Sequence, residues 1–479
     1  MKKQHLDKII SLCKRKGYVF PNSEIYGGLK ASYDYGPLGV ELKKLISELW
    51  WKEMTHSHQN IVGLDSAIMV HPDVWEASGH IANFNDPMTD NKDNKKRYRI
   101  DDLLSQQKSK VIDAICSELK IDSTKSDDIY NDMAHALLSN GSKYDGVLEQ
   151  AGVIDPYSGS IGKWTPAIQF NLMFKTDSGP SEKTGKNIYL RPETAQGIFI
   201  NYLLVQQTMR LKVPFGIAQI GKAFRNEIIA RNFIFRTREF EQMEMQYFVH
   251  PSEDVDNMNL WKQKRLDFYL NHLGIKSKNL KFHQHSKDAL AHYAKDAYDI
   301  EYNFPFGWGE VEGIHNRTDF DLKQHESLSG KNMTYFDTKT QEKYHPYIIE
   351  TSTGLNRLFL MVLCEAYFED TDNNRVVLRL PYDLAPIKAV ICPLVKKDGL
   401  PEKAMSVFET LNKEFPCIYD EQGSIGKRYY RQDEAGTPFG ITLDHQTLED
   451  ESVTIRERDS MKQTRVSIDK ISAFIHDNK

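Results

Sequence analysis

Residues 213–248 constrain the fold more than any other stretch. Val213 to Glu227 ends in a strand-like run, Ile228–Asn232 is a polar break, and Phe233–Phe248 alternates in polarity. Two such runs joined by a short loop predict an antiparallel hairpin. Side chains two apart on a strand share a face. Gln219, Gly221, Ala223, Arg225 and Glu227 then share one face of the first strand. Arg236, Arg238, Phe240, Gln242, Glu244 and Gln246 share one face of the second. Its opposite face carries Phe235, Thr237, Met243, Met245 and Tyr247, with Glu239 and Glu241 among them. The first pair of faces combines cations, one aromatic ring and carboxylates, with small residues leaving room opposite. Arginine grips phosphate bidentately, an aromatic ring stacks on a nucleobase, and a carboxylate can hold an ammonium. The face therefore suits a nucleotide at one end and an amine at the other. Alternation alone suits a solvated sheet face with cross-strand ion pairs at least as well. No G-x-x-x-x-G-K-[ST] loop is present, so a nucleotide here is not held by a P-loop.

Two further segments add weight to the nucleotide reading. Tyr189-Leu190-Arg191-Pro192-Glu193-Thr194-Ala195-Gln196-Gly197 leads into an apolar helical pattern. Glu350-Thr351-Ser352-Thr353-Gly354-Leu355-Asn356-Arg357 passes from a strand (Ile348–Thr353) into a helix over Arg357–Phe368 that is apolar nearly all round, hence buried. An arginine at a helix N-terminus is a natural phosphate site. The plainer alternatives are a surface arginine at a helix start and, for Glu193, a carboxylate favoured by the helix dipole.

The rest of the chain frames these segments. Its 479 residues suggest about three structural units. With 40% apolar and 27% charged residues the composition is globular, neither disordered nor membrane-spanning. Lys and Arg number 62 against 67 Asp and Glu, a net charge of −5, so a polyanion must meet a local basic patch. Pattern predicts a helix over 37–54, a strand from Ile61 to Val70, and charged, helical character over about 90–165, with helices at Val111–Lys120 and Ile129–Ser139. After Leu384-Ala385-Pro386, strands (Ile387–Val395, Cys417–Asp420, Phe439–Leu443, Val453–Arg456) alternate with helices (Glu402–Phe415, Ile425–Ala435, Met461–His476), as in a small α/β unit. Cys13, Cys116, Cys364, Cys392 and Cys417 form no C-x-x-C pair, which disfavours a thiolate zinc site and fits a reducing cytoplasm. The N-terminus has no apolar signal-like stretch, and the longest apolar run, Leu358–Cys364, is far below the ~20 residues of a membrane span.

Taken together and in order, these segments resemble a known family. FRNE (224–227) with FRTREFEQME (235–244) resembles motif 2 of the class II aminoacyl-tRNA synthetases, GLNR (354–357) resembles motif 3, and residues 33–72 look like motif 1. RPETAQGIF, AQIGKAFRNE, RTDFDL and SIGKRYYRQDEAGTPFGIT extend the likeness along nearly the full length to the homodimeric bacterial glycyl-tRNA synthetases. The weakest part of the likeness is about 100–165. The resemblance implies an α+β fold: an antiparallel sheet flanked by helices, an inserted helical subdomain and a C-terminal α/β anticodon-binding domain. It implies a catalytic domain over 1–90 and 166–383, an insertion over 91–165 and the anticodon-binding domain over 384–479. The implied activity is glycine–tRNA ligation. Glycine and ATP give glycyl-adenylate and pyrophosphate, and the glycyl group then passes to the 3′ end of tRNA-Gly.

By the same likeness, Arg225 meets the α-phosphate, Phe240 stacks on adenine, Arg357 grips the γ-phosphate, and Asn226 and Glu227 hold the adenine or ribose end. Phe235, Arg236, Arg238, Glu310, Val311 and Gly354 complete the ATP site, with Mg2+ accompanying the nucleotide. Glycine is met by Glu193, Gln242, Glu244, Glu350 and Ser352, with Arg99 and Arg317 on the substrate side. Lys427, Arg428 and Arg431 are the implied tRNA contacts. A homodimer is implied, and neither zinc nor a membrane is expected. Residues 385–479 hold 14 Lys and Arg against 16 Asp and Glu, so RNA must be met there by such a local cluster. A non-catalytic relative of the same fold, such as the accessory subunit of mitochondrial DNA polymerase, binds nucleic acid without charging tRNA. The joint presence of Glu193, Arg225, Glu227, Phe240, Ser352 and Arg357 speaks for catalysis. The acidic amine pocket and RPETAQG favour glycine over serine, proline, threonine or histidine.

Overall fold

The alternating stretch forms the middle of a seven-stranded sheet. The computed structural model describes residues 2–123, 129–178, 186–227, 232–286, 290–291 and 293–479. The expected polar break at 228–232 lies outside them except for Asn232. Among the described residues the sheet comprises β1 (Ile61–Gly63), β2 (Phe215–Phe224), β3 (Glu239–Val249), β4 (Leu280–Gln284), β5 (Asp296–Phe304), β6 (Gly307–Thr318) and β7 (Tyr347–Gly354), in the order β4-β5-β6-β7-β3-β2-β1. Neighbours run antiparallel except β1, which lies parallel to β2, so the sheet is mixed at one edge. Gln219 stands opposite Glu244, Gly221 opposite Gln242 and Ala223 opposite Phe240, the shared face that alternation predicts. Pairing stops at Phe224 and resumes at Glu239, so Arg225, Glu227, Arg236 and Arg238 lie beyond the paired strands. Phe233–Phe235 winds instead into a 3-10 turn.

Three helices decide what each face of the sheet does: α1 (Pro37–Trp51), α2 (Ala195–Thr208) and α3 (Leu355–Ala366). Leu42, Ile46 and Trp50 of α1 recur every four residues and share a core with Met243, Met245, Ile314 and Ile349 from one sheet face. Leu358 to Leu363 of α3 are buried without a break, as its apolar pattern requires. On the opposite face α2 covers only one half. Tyr202 stacks on Phe248 at 4.8 Å between ring centroids, and Phe215 lies 5.0 Å from Phe248. Truncating one of these rings costs about 3–5 kcal/mol. The uncovered half of that face is the floor of a cavity.

Two pattern-based expectations are corrected. The strand expected over Ile61–Val70 ends at Gly63. Beyond it the Ser66 N–H turns to the Gln219 side chain (3.1 Å) and Arg191 takes the Ser66 carbonyl (2.8 Å), drawing the chain off the sheet edge. The helix expected over Met461–His476 is a strand, β12 (Gln463–Ser467), followed by a helix at Ile471–Asp477. Gln463–Ser467 completes a sheet with β8 (Ala389–Pro393), β9 (Cys417–Tyr419), β10 (Phe439–Leu443) and β11 (Ser452–Glu457), ordered β9-β8-β10-β11-β12. Its backbone groups pair with Ser452–Arg456, which a lone helix turn could not offer.

Residues between the main strands build a second core. Helices Ser109–Leu119 and Ile129–Ser139 pack Ile112, Ile115, Met133 and Leu137 with Trp164. A three-stranded sheet of Arg97–Arg99, Asn85–Asp90 and Ile168–Asn171 stands at its neck. A third core, including Ile391, Leu400, Val407 and Ile441, lies within the C-terminal sheet unit. Ion pairs such as Arg375–Asp433 (2.6 Å) tie that unit to the rest of the chain. All five cysteines are buried and free. Among the described residues no helix is long and apolar enough to cross a membrane.

Candidate active site

The uncovered half of the sheet holds a cavity of about 260 Å³, roofed by the start of α3 and by the segments before α2. Its two ends differ chemically. At one end lie Arg225, Phe240, Arg357, Phe235, Glu227 and Arg236. The Arg225 guanidinium sits 5.4 Å from both the Phe84 and the Phe240 ring centroids, and its Nε donates to the Pro192 carbonyl at 3.1 Å. Arg357, in the first turn of α3, lies 4.5 Å over the Phe235 ring and donates to the Glu310 carbonyl at 3.0 Å. Its Nη1 also meets the Glu310 carboxylate at 3.0 Å, which holds that carboxyl below its usual range. Two guanidiniums, two open ring faces and a helix N-terminus form a concave surface fit for a polyphosphate and a flat base.

A bulge explains how Glu310 reaches this surface. Ile300 pairs with Glu312 but Glu301 pairs with Glu310, leaving Val311 as an extra residue on β6. Glu310 and Gly313, three apart, therefore both line the cavity, while the Val311 side chain packs into the core.

The other end is acidic. Glu193, Glu244 and Glu350 converge there with Gln242, Ser352, His315 and Arg317. Glu244 and Ser352 are cross-strand neighbours, as are Glu350 and His315. Arg317 is held bidentately by Asp321 (2.8 and 3.0 Å) and donates to Glu350 at 3.0 Å. One Gln246 amide bridges Glu350 (2.6 Å) and Glu244 (3.1 Å). The Thr194 hydroxyl donates to the other Glu244 oxygen. These environments push the carboxyls apart. Burial would raise Glu350, but Arg317 and His315 outweigh it and hold the group well below its usual range. Burial would also raise Glu193, yet His80, 3.4 Å away, brings it down to about 2. Glu244 has no cation against it; burial, then Glu350 and Glu193, raise it well above the ordinary carboxyl range. With Arg317 shared between Asp321 and Glu350, the pocket keeps an excess of negative charge that suits a small ammonium.

Several residues expected from sequence lie outside the cavity wall. Arg99 is clamped by Asp101 (3.0 and 2.6 Å) and Asp86 (3.2 Å). Arg238 lies along the Glu227 carbonyl at 3.1 Å, and the Asn226 N–H is bound to the Leu172 carbonyl. Val311 offers only its backbone. Of the three expected tRNA contacts, Lys427 is exposed, and Arg431 pairs with Asp420 at 2.8 Å. Arg428 is buried at 3% exposure and donates to the Pro393 and Gly423 carbonyls, so it cannot face an RNA. Sequence reading missed Phe84, His80, Thr194, Tyr293 and His315. Thr194 stood inside a segment already singled out, and His315 stands two residues from Arg317, on the same strand face. Phe84 and His80 carry no local signal.

Comparisons with known proteins agree with this geometry. Residues 174–367 match the tRNA synthetase class II core domain (G, H, P, S and T), and residues 388–478 match the anticodon binding domain. The chain is 49% identical over 476 residues to the glycine–tRNA ligase of Chlorobaculum tepidum, covering 98% of this chain and 99% of that one. It belongs to the glycine–tRNA ligase family. The Treponema denticola glycine–tRNA ligase is 50% identical over 469 residues, covering 96% of this chain and 94% of that protein. A prolyl-tRNA synthetase of Giardia lamblia, solved with prolyl-adenylate, superposes with a TM-score of 0.64 at 15% identity, over 98% of this chain and 75% of that one, and shares the fold. The α+β architecture is thus that of a class II synthetase core joined to an anticodon-binding domain.

Proposed function

We propose that this chain activates glycine with ATP and transfers the glycyl group to tRNA-Gly. The observation that carries the reading is the two-ended cavity, with Arg225, Phe240 and Arg357 at one end and Glu193, Glu244 and Glu350 at the other. In the first step a glycine carboxylate oxygen attacks the α-phosphorus and pyrophosphate leaves. Arg225 stabilises charge on the α-phosphate, Phe240 stacks on adenine, and Arg357 holds the γ-phosphate. Glu227, which lines the cavity, holds the adenine or ribose end; the Asn226 N–H is taken by the Leu172 carbonyl, which leaves only the Asn226 carbonyl for this role. Phosphoryl chemistry of this kind asks mainly for positioning and fixed charge. Mg2+ would enter with the nucleotide, held by phosphate oxygens and the half-exposed Glu310 carboxylate, a hard oxygen ligand suited to it. In the second step a terminal hydroxyl of the tRNA attacks the glycyl carbonyl and AMP leaves.

Glycine is recognised by its ammonium among Glu193, Glu244 and Glu350, with Ser352 and Gln242 alongside, and larger amino acids are refused by lack of room. Residues 1–90 and 166–383 would form the catalytic domain, 91–165 an insertion, and 384–479 the anticodon reader, with Lys427 and Arg431 as exposed cations. Residues 33–72 would carry a homodimer contact. Supporting it, Trp51, Ile220 and His56 line an open apolar recess beside α1. The free cysteines are consistent with a cytoplasmic enzyme. The test is ATP–pyrophosphate exchange across all twenty amino acids, followed by charging of tRNA-Gly. Exchange with glycine alone, then charging, is expected. No exchange from folded protein with any amino acid would overturn the reading.

A further inference from the structure

We infer that His315 is a positioning residue for glycine recognition, acting through Glu350; the inference rests on the glycine-binding reading above. His315 and Glu350 stand directly opposite each other on β6 and β7, so their side chains meet on the cavity face. The His315 Nδ1 lies 2.8 Å from Glu350 Oε1. The second oxygen, Oε2, accepts from Gln246 at 2.6 Å and from Arg317 at 3.0 Å. An ionised carboxylate offers about four lone-pair directions. Three are therefore taken by fixed donors, which leaves the carboxylate one acceptor direction. Gln246 and Arg317 both hold the same oxygen, so they fix where that atom sits but not the rotation of the group. His315 supplies the donor on the other oxygen and locks the plane.

The ring itself is held in place. Arg317 lies beyond it on the same strand; besides Glu350, the titratable groups Glu193, Glu244, Tyr293 and Glu310 line the same cavity, and Asp299 and His285 lie beside the ring. His285 is bound to Asp299 at 2.8 Å and its ring centroid lies 6.3 Å from that of His315. Gly313 makes room beneath it: a methyl group there would meet the His315 Cε1 at 3.0 Å and Nε2 at 3.1 Å. An ionised carboxylate can only accept, so Nδ1 is the donor to Glu350 whether or not Nε2 also carries a proton. A ring that only filled space would not need its Nδ1 aimed at a carboxylate that faces the ligand.

The discriminating variants keep or remove that one donor. The amide nitrogen of asparagine falls near the position of histidine Nδ1, whereas alanine offers no donor. In ATP–pyrophosphate exchange with the full chain, His315→Ala is expected to raise the glycine KM about tenfold or more, the effect of losing one hydrogen bond to a charged group. The ATP KM is expected to stay within about twofold, and His315→Asn is expected to recover most of the glycine KM. An unchanged glycine KM in His315→Ala overturns the inference. So does a parallel rise in the ATP KM, which marks a general loosening, or an Asn variant as impaired as the Ala variant. Absence of glycine-dependent exchange in the unaltered protein would instead sink the glycine reading itself, so the two failures are distinguishable.

Discussion

On the proposed glycine reading, Glu244 should make glycine binding a proton-linked event, and the linkage is measurable. Three carboxyls converge in one buried pocket, and only Glu193 and Glu350 have cationic partners. Glu244 is left with a hydroxyl and an amide and is raised well above its ordinary range by burial and by its two neighbours. Burial and the two neighbouring carboxylates therefore favour its protonated form in the empty pocket. An ammonium placed among the three favours its ionised form, so binding expels a proton. The sign follows directly. Over the window below the raised pKa of the free site and above its pKa in the complex, the free protein holds one more proton than the complex. Affinity then tightens as pH rises, by about tenfold per pH unit for one proton. Glycine itself stays zwitterionic between about pH 6 and about pH 8. Calorimetric titration of glycine in two buffers of different ionisation enthalpy reads the proton count directly. One proton released, and none from Glu244→Gln, is expected. His315, which desolvation would lower but the bond to Glu350 raises on balance, is a second titratable group in the pocket, and the Gln variant separates the two contributions. A buffer-independent heat in the unaltered protein, or the same release from Glu244→Gln, would refute the reasoning.

Other substitutions separate positioning from packing. Arg225→Ala should lower the exchange rate by about 10²-fold or more, since on the proposed reading it removes a preorganised donor to the α-phosphate, and an unchanged rate would remove Arg225 from the mechanism. Gly221→Ala should destabilise the fold by about 2–3 kcal/mol, read by chemical denaturation. Its new methyl would lie 2.2 Å from Arg191 Nη2, a side chain that binds the Lys222 carbonyl at 2.6 Å and the Ser66 carbonyl at 2.8 Å. Full stability in that variant would show that the arginine moves without loss. Arg428→Ala should lower the melting temperature, because the carbonyls at the end of β8 and in the turn before its helix lose their donor, whereas Lys427→Ala should leave melting unchanged and raise the tRNA KM. Equal melting of both variants would contradict the buried role of Arg428.

Much of the sheet and half of the site were legible because a pleat imposes a strict period. Gln219, Gly221 and Ala223 face Glu244, Gln242 and Phe240 as alternation requires, and an unbroken apolar run could only be a helix buried on all sides. Counting by period fails where one inserted residue changes the phase. Val311 is such a residue, and it moves Glu310 onto the face that two-residue counting would deny it. It failed again at Met461–His476, where a short run of mixed polarity fits either period and the unpaired edge of β11 decides for a strand.

The third kind of failure concerns charge, and it explains both Arg428 and His315. A sequence shows that a side chain is charged but not what faces it. Arg428 lies with Gln432 and Ala435 on the buried stripe of its helix, where the pattern alone would draw a wet surface. Its guanidinium is tolerated there because the turn before the helix and the end of β8 present carbonyls at the right places. His315 is partly buried for the mirror-image reason, since a carboxylate 35 residues along the chain, on the neighbouring strand, accepts its hydrogen bond. Removing the partner in either case would turn a satisfied group into a costly one. Solvated and partnered charges are the same letters in a sequence. They part company only when the fold brings up the second atom, and at this site that atom comes from the neighbouring strand.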